Sequence, residues 1–227
     1  MTSNHHKDEI FQEKKRPKSP IRFKISLNPE QKKAKTQILE NTITLLAGKS
    51  GSGKTLLATQ IALDRLYKKE AEKIVITRPT VSEEELGFLP GDLKEKMDPW
   101  LQPIYHNMFT LYNKEKIKKD IGEGKIEIVP VSFMRGRSFL NSTIIVDEAQ
   151  NVTNSQMEMI TTRIGLKSKM IICGDVRQID LNRKNLSGFD FLCKKAEEVE
   201  NMDFIQLKSN HRDPIVEDLL KIYESKN

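Results

Sequence analysis

Only two cysteines occur in 227 residues, Cys173 and Cys193. They form no CxxC pair, which argues against a cysteine-built zinc site, and they fit a reduced, cytoplasmic chain. Cys173 lies inside the apolar run MIICG and reads as core, not as a nucleophile. No apolar run approaches the ~18–20 residues of a membrane span, so no membrane partner is expected. The N-terminal MTSNHHKDEIFQEKK has no apolar segment and is not a secretory signal; His5 and His6 are only a pair and read as tail. An excess of one charge sign is also lacking outside that tail. The net charge is +6. Residues 1–24 contribute seven Lys/Arg against three Asp/Glu, leaving the remainder nearly balanced. The basic tail, expected to be disordered, either touches phosphates or simply solubilises the chain.

What is present is periodicity, from about residue 25 to the end, which predicts one domain over 25–227. Apolar strands are expected at Ile43–Ala47, Lys73–Thr77, Lys125–Val129, Thr143–Val146, Lys169–Cys173 and Met202–Leu207. Helical patterns cover Pro29–Glu40, with Asn28 as cap, then Lys54–Lys69, Asp98–Asn113, Asn154–Ile164, Ser187–Val199 and Pro214–Tyr223. Continuous Ile/Val/Leu strands alternating with helices predict an α/β fold: a mostly parallel central sheet with helices on both faces. Pro79–Pro103 is the longest irregular segment.

The string TLLAGKSGSGKT contains G-x-x-x-x-G-K-T between a predicted strand and a predicted helix. Gly48, Lys49, Ser50, Gly51, Ser52, Gly53, Lys54 and Thr55 would form a phosphate cradle whose N–H groups point inward at a helix N-terminus. Lys54 would reach the β/γ-phosphates of ATP, and Thr55 would bind Mg²⁺. A second string, TIIVDEAQNV, ends a buried strand in polar groups. Ligands of parallel sheets sit beyond the carboxyl ends of the strands. Asp147 is therefore placed to face the Mg²⁺ beside Thr55, and Glu148 to orient or deprotonate the attacking water. Gln150 would couple phosphate state to neighbouring loops. Gly174-Asp175 ends another strand, with Gln178 three residues on as a γ-phosphate sensor. Arg212, after the last strand, would neutralise charge in phosphoryl transfer; a surface arginine beside a helix cap is the rival reading.

These stretches, together with TRPTVSEEELGFLPGDLKEKMDPWLQPIYHNM and PVSFMRGRSFLNSTIIVDEAQN, resemble the PhoH-like ATPases, related to the core of superfamily 1 helicases. The resemblance implies a P-loop NTPase of RecA/helicase-like architecture. It also implies that Gln178 is the γ-phosphate glutamine, that Arg212 is the arginine following the last core strand, and that Gln31, in LNPEQ, reads adenine. Helicases of that superfamily hold ATP between two such cores, and one core is present here. The resemblance therefore implies a homo-oligomer, expected to be a hexameric ring, with an arginine supplied in trans. Arg135 and Arg137, in MRGR, are candidates, with Arg183 a weaker one. Alternatively, Arg135 and Arg137 bind nucleic acid or serve as salt-bridge partners.

RNA or single-stranded DNA is the expected partner. Arg78 and Thr80 are positioned to touch its phosphates, and Trp100, Tyr105 and Phe109 to stack on bases, although the i, i+4 spacing of Tyr105 and Phe109 fits a buried face better. A nucleoside or small-molecule kinase and a slow nucleotide-gated scaffold are the competing functions.

Overall fold

The computed structural model describes residues 22–79, 93–181 and 186–224. The tail proper, Thr80 and Arg183 lie outside these, as does the side chain of Trp100.

Asn28 starts α1 (Pro29–Glu40) by a reciprocal exchange: its side chain accepts from the Gln31 N–H, and Gln31 accepts from the Asn28 N–H. The following strands are β1 (Ile43–Gly48), β2 (Lys73–Arg78), β3 (Ile126–Pro130), β4 (Ser142–Val146), β5 (Lys169–Gly174) and β6 (Met202–Leu207). All pair in parallel, in the order β3-β2-β4-β5-β1-β6. Side-chain alternation sends Leu46, Ile145, Ile171 and Cys173 into a core under α1, α2 (Lys54–Tyr67) and α3 (Leu93–Leu111). The other face sends Leu45, Ile144, Val146 and Ile172 against Met157 of α5 (Asn154–Thr161) and Phe189 of α6 (Gly188–Cys193). Each fully buried Leu or Ile is worth about 1.5–3 kcal/mol, which is why the central strands contain little else. With all strands parallel, their carboxyl ends share one edge: Gly48, Val146 and Gly174 stop side by side, and a site follows each.

Three differences from the sequence expectation have local causes. An unforeseen helix, α4 (Lys114–Gly122), is capped by Asn113 and buries Ile117. Within Pro79–Pro103, α3 already begins at Leu93. The helix expected over Ser187–Val199 is split: α6 ends at Cys193, and Ala196–Glu198 forms a separate 3-10 turn that buries Ala196. Phe23 and Lys24 lie against the domain, Phe23 tilted on Tyr112 and the Lys24 N–H donating to the Leu111 carbonyl. The last helix, α7 (Pro214–Glu224), follows β6 and the segment carrying Arg212.

Candidate nucleotide site

Between β1 and α2 the chain turns through two left-handed residues, Gly51 (φ 88°) and Gly53 (φ 83°). A side chain at Gly51 would also strike the Arg212 stem, 2.8–2.9 Å from the added carbon. The loop wraps the N-terminus of α2, whose first N–H groups have no helical acceptor and point outward. Lys54 folds over the loop: its ammonium donates to the carbonyls of Gly48 (2.7 Å) and Lys49 (3.1 Å), using two of three donors. Ser52 is buried, and its hydroxyl has no partner among the described residues.

β4 delivers the next two groups. The Asp147 N–H donates to the Thr77 carbonyl on β2, which turns the carboxylate toward the loop. Thr55 Oγ1 donates to Asp147 Oδ1 at 2.6 Å. Asp147 is buried, and burial pushes its carboxyl above the ordinary aspartate range, with the Thr55 bond opposing that shift. Glu148 is half-exposed in a left-handed conformation (φ 51°), which is costly for a non-glycine residue and recurs at functional sites. Arg78, ending β2, lies 3.9 Å from its carboxylate.

The buried Gln150 joins two strand ends. Its amide donates to Glu148 Oε2 at 2.7 Å, and its carbonyl accepts from the Asp175 N–H at 3.1 Å. Asp175 in turn accepts from the Ser50 N–H at 3.1 Å. A continuous chain of hydrogen bonds thus runs from the phosphate loop through Asp175 and Gln150 to Glu148.

The third wall comes from beyond β6. Glu30 at the start of α1 accepts from the N–H groups of Lys208 (2.8 Å) and Ser209 (3.0 Å) and from the Ser209 hydroxyl. The hydroxyl bond is the main reason its carboxyl sits below the usual range. This clasp lays the segment over the loop, where the His211 N–H donates to the Gly51 carbonyl and Arg212 Nη2 donates to Ser50 Oγ at 2.6 Å. Gln31 is buried. Its amide nitrogen lies 3.4 Å from His211 Nε2, while its oxygen is occupied by the Asn28 N–H.

A cavity of about 580 Å³ opens among these groups, lined by Gln31, Lys54, Thr55, Asp147, Glu148 and Arg212 among others. Its chemistry fits a nucleotide with magnesium: hydroxyl and carboxylate oxygens for a hard cation, a lysine and an arginine for phosphates, and the unpartnered Ser52 hydroxyl within the cradle. His211, which sequence reasoning passed over, faces the same cavity; its only signal was its place beside Arg212 in NHRD. Gln178 does not line the cavity. It is exposed in the turn after β5, while the buried amide at this edge is Gln150.

The two MRGR arginines separate. Arg137 makes a two-pronged pair with Glu127 on β3 (2.7 and 2.8 Å) and lies 4.8 Å from the Phe139 ring centre. That is the salt-bridge role the sequence left open. Arg135 is exposed, and none of the described residues pairs with it. Tyr105 and Phe109 are half-buried and stacked on each other, with Phe109 against the core.

Arg137 and Lys73 together hold the Glu127 carboxyl at about 2, the Arg137 bonds having the largest effect. A depressed carboxyl stabilises the fold above its unfolded value, near 4.5, and loses that contribution as pH falls toward 2. In Arg137→Ala only Lys73 remains and the Glu127 carboxyl is less depressed, so the variant is expected to melt lower than the native chain at neutral pH and to lose less stability as pH falls from about 4.5 toward 2, the two curves converging in acid, with turnover per folded molecule unchanged at neutral pH. Melting temperatures across pH 2–7 check this; superimposable curves would refute it.

A parallel sheet with a glycine-turned phosphate loop after β1 and an acidic strand end two strands away defines a P-loop NTPase. The chain belongs to the PhoH-like protein family, whose model matches residues 25–224. It is 40% identical over 190 residues to a PhoH-like protein of Synechocystis, covering 82% of this chain and 58% of the relative. It is equally similar to one of Bacillus subtilis, covering 82% and 60%. The chain therefore spans somewhat more than half the length of these relatives. Among solved structures, the Pif1 helicase of Candida albicans aligns with 87% of this chain and 43% of its own, at a TM-score of 0.46 and 17% identity, too distant to bear on activity. No helix among the described residues is long and apolar enough to cross a membrane.

Proposed function

We propose that this chain is an Mg²⁺-dependent ATPase of the cytoplasm, coupled to RNA or single-stranded DNA and working as a hexameric ring. The observation that carries the ATPase reading is the 2.6 Å contact between Thr55 and Asp147 beside Lys54 and Glu148. Thr55 and Asp147 hold the Mg²⁺, which supplies charge neutralisation at the phosphate oxygens. The third donor of Lys54, unused among the described residues, and the loop N–H groups from Gly48 to Thr55 take the phosphates. Glu148, steadied by Gln150, orients and deprotonates water. Arg212 answers to the terminal phosphate, and Gln31, with His211, flanks the base.

Two features support the nucleic-acid and ring readings. Phe133, 54% exposed in the short 3-10 turn after β3, offers a stacking face that the sequence did not single out. Arg135, two residues on and unpaired among the described residues, is a cation for a phosphate or a neighbouring site. Phosphate release would be measured with ATP alone, with poly-U RNA or single-stranded DNA, and with nucleosides. Stimulation by nucleic acid is the expected result. A phosphorylated nucleoside, or slow release indifferent to every addition, would overturn the coupling.

A further inference from the structure

The opposite edge of the sheet, at the amino ends of β1, β4 and β5, carries a second cavity of about 710 Å³. Three cations line it, Arg65, Lys167 and Lys169, and among the described residues no acidic one does. Arg65 is only 6% exposed. Among the described residues its guanidinium donates to neutral acceptors alone, Thr143 Oγ1 at 2.7 Å and the Glu70 main-chain carbonyl at 3.4 Å. The half-buried Lys169 donates to another carbonyl, that of Asn41, at 2.5 Å. Among the described residues no carboxylate lies within ion-pairing distance of either group. Most buried cations are paired, because an uncompensated charge away from water is costly. Burial lowers the Arg65 guanidinium below its ordinary value, with the Glu70 carboxylate opposing at longer range. Burial and the nearby Arg65 charge together lower the Lys169 ammonium.

The cavity wall is fixed, not a chance gap between loops. The turns 138–142 and 164–168 are laced together by the Gly165 N–H to the Phe139 carbonyl (2.8 Å) and the Asn141 N–H to the Leu166 carbonyl (3.0 Å). The Ser168 hydroxyl donates to the Phe139 carbonyl (2.7 Å) and accepts from the Ser142 N–H (3.0 Å). Lys167 is held at φ 60°, in the left-handed region, at the tip of this lacing.

We propose that this cavity is an anion site, separate from the nucleotide site, that binds a phosphate group between Arg65, Lys167 and Lys169. The phosphate belongs either to a small polyphosphate or to a nucleic-acid backbone.

The test titrates inorganic pyrophosphate into the full chain by calorimetry, with a saturating non-hydrolysable ATP analogue present to occupy the nucleotide site. Binding is expected, and the Lys167→Gln/Lys169→Gln double variant should weaken it by about tenfold or more for the lost ionic contacts. Lys169→Arg, which keeps the charge, should bind like the native chain, and far-UV circular dichroism should be unchanged throughout. Arg65 is left intact because its replacement endangers folding. A short oligouridylate distinguishes the sources: competition with pyrophosphate assigns the site to nucleic-acid phosphates, and its absence assigns it to small polyphosphates. Silence with pyrophosphate at millimolar concentration, or equal binding by the double variant, would overturn the proposal.

Discussion

Glu148→Gln is expected to bind ATP about as tightly as the native chain and to hydrolyse it about 10²–10⁴-fold more slowly, the range a positioned general base contributes. The substitution is nearly isosteric. A glutamine carbonyl still accepts from Gln150, whose amide reaches residue 148 at 2.7 Å, so the chain of bonds to Asp175 and Ser50 persists. What disappears is basicity. Glu148→Ala would confound the comparison, because it strips the buried Gln150 amide of an acceptor and disturbs the loop as well. Single-turnover and equilibrium binding measurements separate the two effects. Native turnover in Glu148→Gln would remove the assignment of the base.

Arg135→Ala is the second large effect, an expected loss of about 10³–10⁵-fold in kcat with nucleotide affinity preserved, as for an arginine supplied to the transition state. It is chosen over Arg137 because Arg137 is already committed to Glu127 and Phe139, whereas Arg135 faces solvent. If the arginine acts on the neighbouring subunit, the loss is repairable. A subunit with Arg135→Ala retains its own Glu148, and one with Glu148→Gln retains its arginine. Mixing the two inactive variants should therefore restore activity at those junctions where the intact halves meet. Mixtures that stay inactive would rule out the trans role.

The fold was legible because its strands are short, continuous, largely β-branched apolar runs alternating with helical patterns, as a parallel sheet covered on both faces requires. Thr143 to Val146 is fully buried for this reason. The phosphate loop was legible because its glycines, Lys54 and Thr55 are contiguous. Contacts between distant segments were not. Gln31 and His211 lie 180 positions apart and meet only because β6 pairs with β1. The amino-edge cavity unites Arg65 with Lys169 by the same means, through strand order. The Glu127–Arg137 pair spans just ten positions, yet a strand end and a turn lie between, and neither residue marks its partner. The helix Lys114–Gly122 escaped notice because its stretch, KEKIKKDIG, offers only Ile117 and Ile121 as an apolar face.

Magnesium-bound ATP is proposed to dock where β1 and β4 end. Calorimetry with a non-hydrolysable ATP analogue, with and without Mg²⁺, on the native chain, Lys54→Ala and Asp147→Asn tests this most directly. The native chain should bind the analogue, Lys54→Ala should not, and Asp147→Asn should bind with little dependence on Mg²⁺. A native chain that gives no heat at millimolar analogue, or a Lys54→Ala chain that binds equally well, would contradict it.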